Sequence, residues 1–378
     1  MSLASIEWGA KPRKALGSPL LGKLVFDIPL LLTLLAVTTF GLVVLYSAAG
    51  EDAMSRVVRQ GMRAALGFGA FFVMAQIPPR YLRIWSPWLY CAVLGLLFAV
   101  AVEGEISQGA QRWLDLGIVR FQPSELMKLA APMMVAWFLH DRTLPPTFPQ
   151  LIVLMLVIAV PAILIAEQPD LGTALLVVAA GGLVVLLAGI SVRLMLGAAA
   201  LALALAPLLW MAMLDYQRQR VLTFLNPESD PLGAGYNIIQ SKIAIGSGHL
   251  FGKGWLNGTQ AHLEFLPERS TDFIFAVLAE EFGLFGAATL LVLYLVLIGR
   301  GLFIAAQAQD TFTRLLAGSL SLTFFVYVFV NAGMVSGLLP VVGVPLPLVS
   351  AGGTSMVTLM GCFGILAAIH GHRKLLPA

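Results

Sequence analysis

The sequence predicts an all-α integral membrane fold, a bundle of about ten transmembrane helices with one long extracytoplasmic loop between helices 7 and 8. Three observations predict it. Of the 378 residues, 59% are hydrophobic and only 11% charged, against roughly 25% charged in soluble domains. Apolar runs recur along the whole chain at the length, about 20 residues, that crosses a hydrocarbon core. One polar segment, residues 213–271, interrupts them and far exceeds the roughly two to eight residues usual between packed helices. The net charge of +3 is spread between apolar runs, with no basic stripe, which sets aside a nucleic-acid partner. Cys91 and Cys362 fall inside apolar runs, where a thiol behaves as a small hydrophobe, so neither a disulfide nor a metal site is expected of them.

Residues 1–378 read as one polytopic domain, with spans expected near 28–48, 61–77, 84–102, 123–139, 150–166, 172–190, 194–212, 273–298, 315–338 and 345–369. The first follows a basic stretch (Lys11, Arg13, Lys14, Lys23) without a small-residue cleavage signature, and reads as a retained anchor. Pro78-Pro79 and Pro145-Pro146 mark the turns after the second and fourth spans, because proline removes a backbone donor that lipid cannot replace. Before the fourth span, Arg112 beside Trp113 reads as an interfacial aromatic with a snorkelling arginine. The fourth span opens Gln122-Pro123-Ser124-Glu125-Leu126-Met127-Lys128. Proline suits its first turn, and Glu125 suits the positive end of the helix dipole. Lys128 shares a face with Glu125, giving an ion pair that serves either as structural glue or as the lining of a charged pocket. Glu167 and Asp170 flank the turn into the sixth span, where a plain solvated turn explains them equally well.

In the segment 213–271, apolar residues such as Phe224, Tyr236, Ile238, Trp255 and Phe265 would pack the loop onto the bundle. Its cations Arg218, Arg220, Lys242, Lys253 and Arg269 face an anionic headgroup equally well, and none stands out. The eighth span follows Leu266-Pro267-Glu268-Arg269-Ser270-Thr271-Asp272-Phe273. At its start, Asp272 is either an N-cap acid satisfying orphan amides or a catalytic carboxylate placed to take a proton from a substrate hydroxyl. Glu280 and Glu281 come about 12 Å further along the helix, and structural pairing with cations is their default reading. Before the tenth helix, Pro340, Pro345 and Pro347 with Gly343, Gly352 and Gly353 demand an irregular backbone that only a protein-lined cavity tolerates at membrane depth. Basic residues near span ends are more numerous on the amino-terminal side (Lys11, Arg13, Lys14, Lys23, Arg80, Arg83, Arg142, Arg193, Arg300, Arg314, Arg373, Lys374) than on the other (Arg56, Arg59, Arg63, Arg112, Arg120). Both termini are therefore expected in the cytoplasm and the long loop outside.

Together the motifs resemble the SEDS family of bacterial cell-wall polymerases, and most closely its elongation members. The resemblance rests on Gln111-Arg112-Trp113-Leu114, Gln122-Pro123-Ser124-Glu125, Gln168-Pro169-Asp170-Leu171-Gly172-Thr173, Phe265-Leu266-Pro267-Glu268-Arg269 with Thr271-Asp272-Phe273-Ile274-Phe275, and Pro345-Leu346-Pro347-Leu348-Val349-Ser350. It implies a peptidoglycan glycosyltransferase of the bacterial cytoplasmic membrane that polymerises lipid II into glycan strands during cell elongation. It also implies a class B penicillin-binding protein as transpeptidase partner, with elongation-complex scaffold proteins and membrane lipids as further contacts. The family's essential acid matches Asp272, its cavity residues match Glu125, Lys128 and Asp170, and its functionally important tryptophan matches Trp113. Arg112, Glu268 and Arg269, within the matched motifs, join them as expected substrate-binding residues.

In such a reaction the acceptor sugar hydroxyl loses a proton as it attacks, so Asp272 is expected to act as general base, with inversion at the donor carbon. The pyrophosphate leaving group calls for positive charge from Lys128 and Arg112, or from a divalent cation held by the acids. Two other classes fit a ten-helix bundle with intramembrane charge: a lipid-linked precursor flippase, and a non-catalytic activator of the penicillin-binding protein.

Overall fold

The computed structural model describes residues 27–373 apart from 104, 108–109, 116–119, 214, 230–233, 263–264 and 267. Lys11, Arg13, Lys14, Lys23 and Lys374, which weigh in the expected orientation, lie outside the described residues. The chain runs through α1 (Ile28–Ala48), α2 (Ala53–Gln76), α3 (Pro79–Glu103), a small sheet of β1 (Glu105–Ser107), β2 (Ala110–Asp115) and β3 (Arg120–Phe121), then α4 (Pro123–Leu139), α5 (Phe148–Glu167), α6 (Leu171–Leu187) and α7 (Val192–Ala212). There follow α8 (Asp215–Leu225), α9 (Ala234–Ser247), the single turn α10 (Thr259–His262), α11 (Ile274–Ala306), α12 (Thr311–Val335) and α13 (Thr354–Gly371). Among the described residues, α1, α3, α5, α11, α12 and α13 are long and apolar enough to cross a membrane, and α6 is a shorter apolar helix. The protein is an all-α multi-pass membrane protein.

A helix overlies every stretch where a span is expected, with three departures. The second helix begins at Ala53 rather than at residue 61, because Arg56, Arg59 and Arg63 continue it instead of ending it. The tenth begins at Thr354 rather than at residue 345, since Pro345 and Pro347 cannot donate to a helix ladder. The sheet between α3 and α4 is an element the apolar pattern did not announce. Within the bundle α13 lies along α2, α11 along α12, and α4 against α3 and α6. An aromatic column joins three helices: Tyr294 meets Phe324 at 5.5 Å, and Phe324 meets Phe363 at 5.0 Å, both edge to face. At one end, Asp27 caps α1 through Leu30 N at 3.0 Å and pairs with Arg300 of α11 at 2.7 Å.

Two features of the second half of the chain position the site. The segment 340–353 is irregular, as its prolines require, and forms a strap held against α11 by Tyr294, whose hydroxyl donates to the Pro347 carbonyl at 2.6 Å. The 33-residue α11 is broken at Gly283, whose φ of 64° only glycine adopts without strain. The break would orphan the carbonyls before it and the amides after it. The turn after α9 supplies both sets of partners. Lys253 N and Gly254 N donate to the Glu280 and Glu281 carbonyls at 3.0 Å, and Leu284 N and Phe285 N donate to the His249 and Leu250 carbonyls at 3.0 and 3.2 Å.

Candidate active site

Asp272 occupies the turn immediately before α11, and three consecutive carbonyls of that turn are held from outside the helix. Ala351 N donates to Ser270 O at 2.9 Å, Ser350 Oγ to Thr271 O at 2.5 Å, and Asn331 Nδ2 to Asp272 O at 2.9 Å. Ser350 Oγ in turn accepts from Leu346 N at 2.8 Å, which folds the strap onto the same turn. The backbone is thus fixed while the carboxylate is left over. It faces Gly343, where an added Cβ would lie 3.5 Å from Oδ2. Burial above all, then the charge of Glu268 and more weakly of Asp170, pushes the Asp272 carboxyl up to about 6, with Arg220 opposing. A carboxylate with that affinity is ionised at neutral pH yet basic enough to accept a proton.

The other expected residues fall into two groups around it. Asp170 caps α6, accepting from Thr173 N at 3.1 Å, and also accepts from Gln122 Nε2 at 3.0 Å. Arg112 on β2 lies 3.9 Å from Asp170 and donates to the carbonyls of Gln168 and Pro169. The missing Cβ of Gly172 lets this helix start press on the strap, since a side chain there would come within 2.5 Å of Val342 O. Trp113, half-buried on β2, sits opposite Glu105 in the sheet. Deeper, Lys128 and Glu125 pair at 2.6 Å, both buried, and the Lys128 ammonium stands 4.9 Å from the Tyr327 ring centre. Together with Thr323, Thr358 and Cys362 they line a cavity between α4, α12 and α13.

At the junction itself, Glu268 is exposed and accepts from Thr271 Oγ1 at 2.9 Å. Arg269 reaches across to the backbone at Gly50, and Arg56 donates to Ser270 Oγ at 2.7 Å. Arg220 is the loop cation set against Asp272, a role that no feature of the sequence separates from those of its neighbours. Asn331 and Tyr327 were not among the sequence candidates. The available signal was an amide within an apolar helix, which must find partners among protein groups when lipid surrounds it. Among the described residues no three His, Cys, Asp or Glu side chains converge as metal ligands, so no ligand set is assigned to a divalent ion.

Residues 28–375 match the family model for the cell cycle proteins FtsW, RodA and SpoVE. The chain belongs to the FtsW/RodA/SpoVE family. The peptidoglycan glycosyltransferase MrdB of Escherichia coli is 57% identical over 355 residues, covering 94% of this chain and 96% of that relative. MrdB of Helicobacter pylori is 38% identical, covering 93% and 90%. Among solved structures, a chain of a peptidoglycan synthase complex, described for its coordination of polymerization and crosslinking, superposes with a TM-score of 0.81 at 33% identity over 93% of this chain and 100% of that one. The rod shape determining protein RodA of Thermus thermophilus superposes with a TM-score of 0.69 at 30% identity over 92% and 98%.

Proposed function

We propose that Asp272 is the general base of glycan polymerisation, taking the proton of an acceptor sugar hydroxyl as that oxygen attacks a lipid-linked donor. The chain is a peptidoglycan glycosyltransferase of the FtsW/RodA/SpoVE family. The carrying observation is the contrast within one residue: the Asp272 backbone is tied by Asn331, while its carboxylate, pushed up to about 6, is left facing the strap. Attack and proton removal together form the new glycosidic bond and release the polyprenyl pyrophosphate of lipid II, with inversion at the donor carbon. General base catalysis of this kind contributes about 10²–10⁴-fold.

In this reading the paired Glu125 and Lys128 and the paired Arg112 and Asp170 bind the substrate's charged and polar groups, with Lys128 and Arg112 offsetting negative charge on the leaving pyrophosphate. Trp113, Glu268 and Arg269 complete the rim. The proposed setting is cell elongation, with the active side on the outer face, both termini cytoplasmic and a class B penicillin-binding protein crosslinking the product. The reading is tested with purified protein and lipid II, following glycan chain length on gels. Asp272→Asn is expected to bind lipid II and polymerise it about 10²–10⁴-fold more slowly; polymer of ordinary length at the wild-type rate from that variant removes the base from Asp272.

A further inference from the structure

We propose that Asn331 is a positioning residue for the transfer reaction, one side-chain amide holding the Asp272 turn and the strap in register. The proposal rests on the assignment of Asp272 as base and adds what keeps that base in place. Asn331 is fully buried on α12, in a segment otherwise suited to lipid or apolar packing. Its Nδ2 donates twice, to Asp272 O at 2.9 Å and to Val344 O at 2.7 Å. Its Oδ1 is buried with no partner among the described residues. That asymmetry fixes the amide's orientation. Turned over, it would set an oxygen against two carbonyls and leave both of them without a donor. The two acceptors belong to the two pieces between which a substrate hydroxyl must approach: the residue carrying the base, and the strap residue next to Gly343, which faces the base.

The geometry makes Asn331 act on distance. Without its amide the Asp272 turn still keeps Ser350 and Ala351 as donors to the two preceding carbonyls, so the turn persists. The Asp272 carbonyl and the 343–344 stretch lose their common anchor, and a displacement of the order of 1 Å lowers a rate about 10²-fold. Four residues earlier on α12, one helical turn away, Tyr327 stands under Lys128. The same helix face therefore spaces the Asp272 turn from the Glu125–Lys128 pocket.

The experiment compares wild type, Asn331→Ala, Asp272→Asn and the double variant in detergent with lipid II, measuring kcat, KM and the pH dependence of polymerisation, with thermal unfolding as a fold check. Asn331→Ala is expected to lose about 10²-fold in kcat with KM within about threefold. Its acid limb moves to lower pH as water reaches the carboxylate, which otherwise faces Glu268, Arg220 and Asp170. In the Asp272→Asn background the same substitution is expected to change the residual rate less than twofold, because a residue acting through the base has nothing left to position. If Asn331→Ala does not fold, Asn331→Ser, with one O–H for two carbonyls, is read by the same criteria. A folded variant with wild-type kcat, or equal losses with and without Asp272, overturns the proposal. Polymerisation by Asp272→Asn alone at the wild-type rate instead overturns the base assignment, so the two failures are told apart.

Discussion

Two carboxylate sites lie two turns apart at the start of α11, and they are built on opposite plans. At Glu280 one carboxylate oxygen is committed: Oε1 accepts from Lys253 Nζ at 2.7 Å, Thr259 Oγ1 at 3.0 Å and Gln260 N at 3.1 Å, all from the loop wrapped over the Gly283 break, while Oε2 is buried with no partner among the described residues. Beside it, Glu281 accepts from Ser47 Oγ of α1. At Asp272 the backbone is consumed and the carboxylate is kept available, among neighbours that include two further acids. The difference teaches that a buried acid is not a catalytic acid by virtue of burial. What separates them is which atoms the protein has already committed.

The largest expected effect breaks the comparison at its ends. Asp272→Asn should lower polymerisation by about 10²–10⁴-fold without lowering the unfolding temperature. Glu280→Gln should do the reverse, destabilising the fold by about 3 kcal/mol as Lys253 and its neighbours lose a charged acceptor, while the rate per folded molecule changes little. Parallel calorimetry and lipid II assays on the two variants decide it, and equal losses of activity would erase the distinction. Stability as a function of pH sharpens the contrast. The Asp272 carboxyl binds its proton more tightly in the folded chain, about 6 against 3.8, so native stability falls as pH rises through that window. At pH 8 the ionised group costs up to about 3 kcal/mol. Asp272→Asn should then unfold at higher temperature than wild type at pH 8, and the gap should close below pH 4. The smallest effect concerns Arg220, whose charge holds the Asp272 carboxyl down against burial. Arg220→Gln should move the acid limb of polymerisation upward in pH by less than one unit, a shift that a pH–rate profile resolves.

The helices were legible because each overlies an apolar run, six of them among the described residues long and apolar enough to cross a membrane, and α4 runs over 123–139 as expected because Pro123 marks its first turn. The place of Asp272 at a loop-to-helix junction was legible in its motif, and the Glu125–Lys128 pair by its spacing of three. Other features depend on partners distant in sequence. Nothing local says that Asn331 reaches Asp272, 59 residues away, or that Arg112 lies beside Asp170, 58 residues on. The break in α11 was hidden because Gly283 sits in a stretch that reads as unbroken helix, and the backbone groups its positive φ frees are satisfied by the turn 248–254. Glu280 pairs with Lys253, the cation pairing expected of an acid in that stretch.

That break also divides the surface of α11. Its large exposed apolar residues begin at Leu284 and Phe285 and continue through Leu291, Leu295 and Phe303, whereas residues 274–281 are all buried. From Leu284 to Ala306 the helix is about 34 Å long, enough by itself to cross the hydrocarbon layer. The turn bearing Asp272 therefore stands on the protein-enclosed part of α11, about 15 Å along the chain from the break. In the proposed reaction the polyprenyl tail stays among lipid chains beside the exposed half of α11 while the sugars meet Asp272 beside the enclosed half, so the tail need never leave the bilayer for the strand to grow.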